Sequence, residues 1–183
     1  MTATHLCFID TETTGLDPAV AELIEVAVLM TDLKAEKILD RYTVRVSPLR
    51  PENISKEAAA VNGYKPETWL PVVPHVEVLG RLKPFTKNAL LAGHNTQFDL
   101  GFMKRFFKDC NERPNWDYHI LDTMSLAFPM FAEGLIPNVK LKTLCEFFKI
   151  ANKQEHSAEG DVEATLAVYR ELRKLITLPT RTT

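Results

Sequence analysis

Three apolar runs within the first 46 residues constrain the fold of this chain more than any other feature. Residues 4–10 (Thr-His-Leu-Cys-Phe-Ile-Asp) end at the turn-rich Thr-Glu-Thr-Thr-Gly-Leu-Asp-Pro, the pattern of a buried strand and its exit loop. Asp10 is thereby expected at the strand's carboxyl end. Residues 23–31 and 37–46 are rich in Val, Ile, Leu, Thr and Tyr and are separated only by the polar Asp32-Leu33-Lys34-Ala35-Glu36, so an antiparallel meander is expected.

Downstream the pattern changes to alternating helices and strands. Ser55 is placed to cap a short helix over 55–61, and Asn62-Gly63 offers a residue able to end it in the left-handed conformation. A stretch containing Pro66, Pro71 and Pro74 follows. The spacing then predicts a helix over 75–83, a second buried strand over 89–94, and a helix capped by Asn95 that runs to about Cys110. Phe98, Phe102, Met103 and Phe106 supply that helix's apolar face. Residues 118–122 read as a third short parallel strand, and 123–131, 140–149 and 158–176 as helices. The expected fold class is α/β, a mixed sheet flanked by helices.

A chain of 183 residues is long enough to bury a core without disulfides or structural metals. No repeat, low-complexity tract or linker divides it, so a single domain over 1–183 is expected. Its 45% hydrophobic and 25% charged residues exclude disordered and fibrous classes. Neither a membrane span nor a signal-peptide pattern appears, which points to a cytoplasmic protein with no membrane partner. Cys7, Cys110 and Cys145 are far apart and form no Cys-x-x-Cys pair, so they are expected as free, mostly buried thiols.

Charge narrows the function. A net charge of −2 is unusual for a protein that grips long stretches of nucleic acid, because phosphate neutralisation needs clustered Lys and Arg, so any nucleic-acid footprint is short. The acids are also uneven. Asp10, Glu12, Asp17, Glu22, Glu25, Asp32, Glu36 and Asp40 face only Lys34 and Lys37 within residues 1–40, an imbalance that calls for cations.

Four acids fall at telling places. Asp10 and Glu12 end the first strand, Asp99 lies in the first turn of a helix after a strand, and Asp161 lies near the start of the last helix. Asp10 and Glu12 are two apart, so an extended backbone points both side chains to one side. Carboxylate oxygens suit Mg²⁺ or Mn²⁺, and the lack of nearby Cys or paired His makes zinc the weaker choice.

These residues carry a family resemblance. Phe8-Ile9-Asp10-Thr11-Glu12-Thr13-Thr14-Gly15-Leu16 resembles the first motif of the DEDDh (DnaQ-like) 3′–5′ exonucleases. Gly93-His94-Asn95-Thr96-Gln97-Phe98-Asp99 is similar to the second, and His156-Ser157-Ala158-Glu159-Gly160-Asp161 to the third. The likeness extends from residue 8 to about 168 and is closest to the proofreading branch of bacterial DNA polymerase III. It implies a ribonuclease H-like fold with a mixed five-stranded sheet. It further implies that Asp10, Glu12, Asp99 and Asp161 hold two divalent ions, Mg²⁺ or Mn²⁺, and that His156 is the general base. The implied substrate is a single-stranded nucleic-acid 3′ end, with Thr13, Leu16, His94, Asn95 and Phe98 as pocket candidates.

Each motif also has a plain structural reading: a polar turn at Asp10–Thr14, a helix cap with a first-turn acid at Asn95 and Asp99, and a loop residue with another first-turn acid at His156 and Asp161. Three motifs in order outweigh these readings. Two departures from the family pattern stand out. The segment Val61-Asn62-Gly63-Tyr64 replaces Val-His-Gly-Ile, so no histidine contact transfers there, and Val162 follows Asp161 where Ala is commoner. Lys104, Arg105, Lys108, Lys140 and Lys142 are the cations available to a phosphate backbone or, more plainly, to solvent. The leading function is a 3′–5′ exonuclease on single-stranded DNA ends. An exoribonuclease with the same acids and a noncatalytic polymerase-accessory module are the alternatives. A polymerase complex stays open, although the C-terminal tail carries no clamp-binding peptide.

Overall fold

Residue-by-residue alternation in the first strand organises the molecule. In the computed structural model, which describes residues 3–152 and 156–176, strand β1 (His5–Thr13) is the centre of a five-stranded sheet of order β3-β2-β1-β4-β5. β2 (Leu23–Thr31) and β3 (Ile38–Arg45) form the antiparallel meander. β4 (Ala89–Gly93) and β5 (Ile120–Asp122) add in parallel. This is the mixed five-stranded α/β architecture expected.

The odd-numbered side chains Cys7 and Ile9 face one core, shared with helices α2 (His75–Thr86) and α3 (Thr96–Asp109) through Leu82, Phe102, Met103 and Phe106. The even-numbered Leu6 and Phe8 face a second core closed by α6 (Ala158–Leu175) through Ala158, Val162 and Leu166. Period-two alternation carries Asp10 and Glu12 to the α6 face and Thr11 to the α3 face. Between β5 and α6, α4 (Thr123–Ala132) and α5 (Leu141–Phe148) pack their apolar sides on Ala164, Val168 and Leu172. The segment between β3 and α2 holds α1 (Lys56–Asn62) and is pinned to β2 by Tyr64 and Trp69 around Ile24.

The helix signals near α1 act as expected. The Ser55 hydroxyl accepts from the Ala58 N–H, and Gly63 closes the helix at φ 69°. Three expectations need correction. β1 does not end at Asp10: Thr11, Glu12 and Thr13 continue the ladder opposite Val26, Glu25 and Leu23, because threonine fits a strand as readily as a turn. β5 starts at Ile120, since the Asp117 carboxylate accepts from the His119 N–H at 3.0 Å and turns the chain there. Asn95 does not cap α3 with its side chain. Its backbone is left-handed, and Asp122 accepts instead from the N–H groups of Asn95 (3.2 Å) and Thr96 (3.1 Å). Cys7 and Cys145 are buried and Cys110 is half-buried, and the three thiols are not joined in disulfides among the described residues. Among the described residues no helix is long and apolar enough to cross a membrane.

Candidate active site

The two carboxylates of β1 meet the first turn of α6. Ligand oxygens of Asp10, Glu12 and Asp161 all lie within 4.8 Å of one another. Asp99 joins from α3 on the other face of the sheet; it is 3% exposed, and the Thr11 hydroxyl donates to its Oδ1 at 2.7 Å. One strand therefore supplies two acids to one side and the anchor of a third to the other.

Burial and mutual repulsion act together here. Asp10 is held well above the usual carboxylate range, first by burial and then by the charges of Asp99, Asp161, Glu12 and Glu25. Glu12 is pushed up to about 8 by burial, then by Asp161, Glu25 and Asp99, against a lowering hydrogen bond from Asn62. Asp99 is pushed up to about 7 by burial, with the Thr11 hydrogen bond opposing. The charges acting most strongly on Asp10 and Glu12 are all negative. An all-oxygen donor set under such repulsion fits a hard divalent cation, whose charge would reverse the direction of these shifts.

The arm that carries Asp161 is anchored at several points. Its Oδ1 accepts from Asn152 Nδ2 at 2.7 Å and its Oδ2 from the His156 N–H at 3.2 Å. Ser157 caps α6 by accepting from the Gly160 N–H. Glu25, the cross-strand partner of Glu12, accepts from the Ala158 N–H at 3.2 Å and pairs with Arg45 at 3.6 Å. His156 is exposed, with a left-handed backbone (φ 64°) that histidine tolerates better than branched residues do.

The second motif is set by the end of β4. A Cβ at Gly93 would lie 3.0 Å from Thr96 Oγ1 and 3.2 Å from the Ile9 carbonyl, so only glycine lets β1, β4 and α3 approach this closely. Thr123 donates to the Gly93 carbonyl at 3.1 Å and must accept from Nδ1–H of His94 at 2.9 Å. Burial lowers the pKa of His94, with Asp122 opposing, so the ring is held neutral with Nε2 as an acceptor.

A cavity of about 920 Å³ opens beside Glu12. Thr13, Leu16 and Phe98 line it, together with Val20, Val61 and Asn62. His94 and Asn95 are not part of its lining and sit at the β4–α3 junction. The Thr13 hydroxyl donates to the Gly15 carbonyl at 2.7 Å, so it shapes the turn. Leu16 is 84% exposed at the mouth. Phe98 serves both core and wall, packing on Phe102 with ring centroids 5.0 Å apart. Of the cations, Lys104, Lys108, Lys140 and Lys142 are exposed, whereas Arg105 is engaged by protein groups.

A family model described as exonuclease, of the RNase T type, matches residues 7–169. The chain belongs to this exonuclease family. The DNA polymerase III PolC-type protein of Caldanaerobacter subterraneus subsp. tengcongensis is 33% identical over 168 residues, which are 91% of this chain and 11% of that protein. The PolC-type protein of Bacillus subtilis is 29% identical over 171 residues, 93% of this chain and again 11% of the relative. The chain thus spans about a tenth of the length of the curated relatives it matches. Among solved structures, E. coli exonuclease I in complex with a dT13 oligonucleotide superposes with a TM-score of 0.80 at 20% identity, over 93% of this chain and 41% of that one. Exonuclease I from Methylocaldum szegediense gives a TM-score of 0.74 at 24% identity, over 94% and 41%. These likenesses establish the ribonuclease H-like fold.

Several residues around the acidic cluster are absent from the three motifs. Glu25 carried a legible signal, a lone acid in the otherwise apolar strand Leu-Ile-Glu-Val-Ala-Val-Leu-Met, where an unpaired charge is costly. Asn62 stands where the family's histidine is commoner; it donates to the Thr13 carbonyl at 3.0 Å and acts on Glu12. Asn152 and Asp122 gave no signal, because their partners are nine and more than twenty residues away in sequence.

Proposed function

We propose that residues 1–183 form one exonuclease domain that removes nucleotides from the 3′ end of single-stranded DNA and releases nucleoside 5′-monophosphates. The observation that carries this reading is the meeting of Asp10, Glu12 and Asp161 within 4.8 Å, with a cavity opening directly beside Glu12. The apolar wall of Leu16, Val20, Val61 and Phe98 suits the faces of a terminal base, which present no charge. The oligonucleotide held by exonuclease I and the PolC-type relatives support single-stranded DNA as substrate and a polymerase as partner. A cytoplasmic location is consistent with both.

In this reading Asp10, Glu12, Asp99 and Asp161 would hold two Mg²⁺ or Mn²⁺ ions, which would supply charge neutralisation at the scissile phosphate. His156 takes the proton from the attacking water; its exposed position just before α6 suits that task. The P–O3′ bond breaks, and the 3′ oxygen of the shortened strand takes up a proton. Through the cations they would hold, the acids would keep the scissile phosphate beside the cavity, while its wall sets the depth to which the terminal nucleotide enters.

The test is digestion of 5′-labelled single-stranded DNA and RNA of one sequence with Mg²⁺ or Mn²⁺, alongside EDTA and Asp10→Ala controls. A ladder of shortened DNA lost in both controls is expected. Shortening of RNA alone would replace the substrate with RNA, and no shortening of either strand would sink the nuclease reading.

A further inference from the structure

The loop between β1 and β2 is a closed unit. At its neck the Thr14 N–H donates to the Glu22 carbonyl and the Glu22 N–H to the Thr14 hydroxyl, both at 2.8 Å. Inside it, Asp17 accepts from Ala19 through its carboxylate and from Val20 and Ala21 through its carbonyl. This loop presents Leu16 and Val20, 84% and 63% exposed, as one wall of the cavity. Two such exposed side chains contribute little packing to hold the loop in place.

The ends of the loop are held by the Ser55 N–H on the Thr14 carbonyl and by Arg50 on the Glu22 carboxylate, and Arg105 attaches its middle to α3. Its Nε donates to both carboxylate oxygens of Asp109 at 2.8 Å, one turn further along α3. That pair leaves the planar guanidinium aimed at the loop, where one terminal nitrogen donates to the carbonyls of Ala19 at 2.8 Å and Pro18 at 3.1 Å. One turn earlier, Gly101 lets the helix meet Pro18, since a Cβ there would lie 3.2 Å from its Cγ. Phe98, a turn earlier again, is the part of α3 that lines the cavity.

We infer that Arg105 is a positioning residue that clamps the Thr14–Glu22 loop onto α3 and so sets how tightly the cavity holds the terminal nucleotide. It is not a phosphate contact. The inference rests on the cavity being the nucleotide pocket of the proposed exonuclease. Its Nε and one terminal nitrogen are directed to Asp109 and the loop carbonyls, and the side chain is 29% exposed.

The experiment compares wild type, Arg105→Gln and Arg105→Lys by steady-state digestion of single-stranded DNA at several salt concentrations and by amide hydrogen exchange over residues 15–21. For Arg105→Gln, KM should rise about tenfold with kcat within about twofold of wild type. Exchange over the loop should accelerate, and the slope of log KM against log salt should stay that of wild type. Arg105→Lys, which restores one charged donor, should recover part of both KM and protection. A salt slope smaller by about one would make Arg105 a phosphate contact and overturn the clamp. Unchanged loop exchange would overturn it equally, as would a fall in kcat at constant KM. Loop exchange is read without substrate, so the clamp can fail or hold even if the wild-type protein digests no strand, an outcome that would instead sink the nuclease reading.

Discussion

Replacing Glu12 by glutamine removes one negative charge from a site where Asp10, Asp99, Asp161 and Glu25 already repel one another. The carboxyl of Glu12 is pushed from 4.5 to about 8, by burial first and then by Asp161 and Glu25. The native chain therefore keeps a proton that the unfolded chain has released, and stability falls as pH rises from 4.5 to about 8. At about 1.4 kcal/mol per pKa unit, the gap has a ceiling of about 5 kcal/mol. Partial solvent access and relaxation around a half-buried side chain reduce it to about 1–2 kcal/mol. A domain of this size shifts its Tm by about 2–4 °C per kcal/mol. Thermal unfolding in EDTA at about pH 8.5 should thus show Glu12→Gln melting about 2–8 °C above wild type. At about pH 5 the difference should shrink to under about 2 °C, because both chains then carry a neutral group there. Saturating Mg²⁺ or Mn²⁺ should reverse the order, since an ion at about 100 times its Kd stabilises wild type by about 2.7 kcal/mol and the variant by less. A variant that melts at or below wild type in EDTA at the higher pH refutes the repulsion argument, and so does a gap that does not change with pH.

Three further outcomes follow from named contacts. His156→Ala should lower kcat by about 10²- to 10⁴-fold in steady-state digestion, and a variant that keeps the wild-type kcat would remove His156 from the base role. Thr11→Val keeps side-chain shape but deletes the donor to Asp99, which should cost about 1–3 kcal/mol and raise the Asp99 pKa further; calorimetric titration with Mn²⁺ near neutral pH should show weaker binding, and an unchanged isotherm would refute the link. Asp122→Ala takes the acceptor from the N–H groups of Asn95, Thr96 and Met124, so denaturant unfolding should show a loss of about 1–3 kcal/mol, and a loss within about 0.5 kcal/mol would mean water replaces it.

Much of the fold and of the acidic set is legible in the sequence. Ser55 and Gly63 mark the ends of α1 because caps are local devices, completed within a few residues of chain. The motif acids were legible for a related reason: the Asp-x-Glu spacing and the position of Asp161 in a first helical turn depend only on local backbone periodicity. Where local signals misled, a distant partner had intervened. Thr11 to Thr13 read as turn because their pairing with β2 lies about a dozen residues away. Asn95 read as a cap because the real acceptor, Asp122, is 27 residues on.

By itself the sequence determined the strand and helix periods, the identity of the four motif acids and the apolar faces that form two cores, since these rest on interactions along a few residues of chain. Tertiary structure alone decided that Glu25 would stand opposite Glu12, that Thr11 would hold Asp99 from the other face of the same strand, and that Arg105 would be bound to a loop some 86 residues earlier instead of facing phosphate. The physical reason is common to all three. Hydrogen bonds and charge repulsion reach only a few ångströms, and which groups come within that reach is set by strand register and by the helices that pack on each side of the sheet.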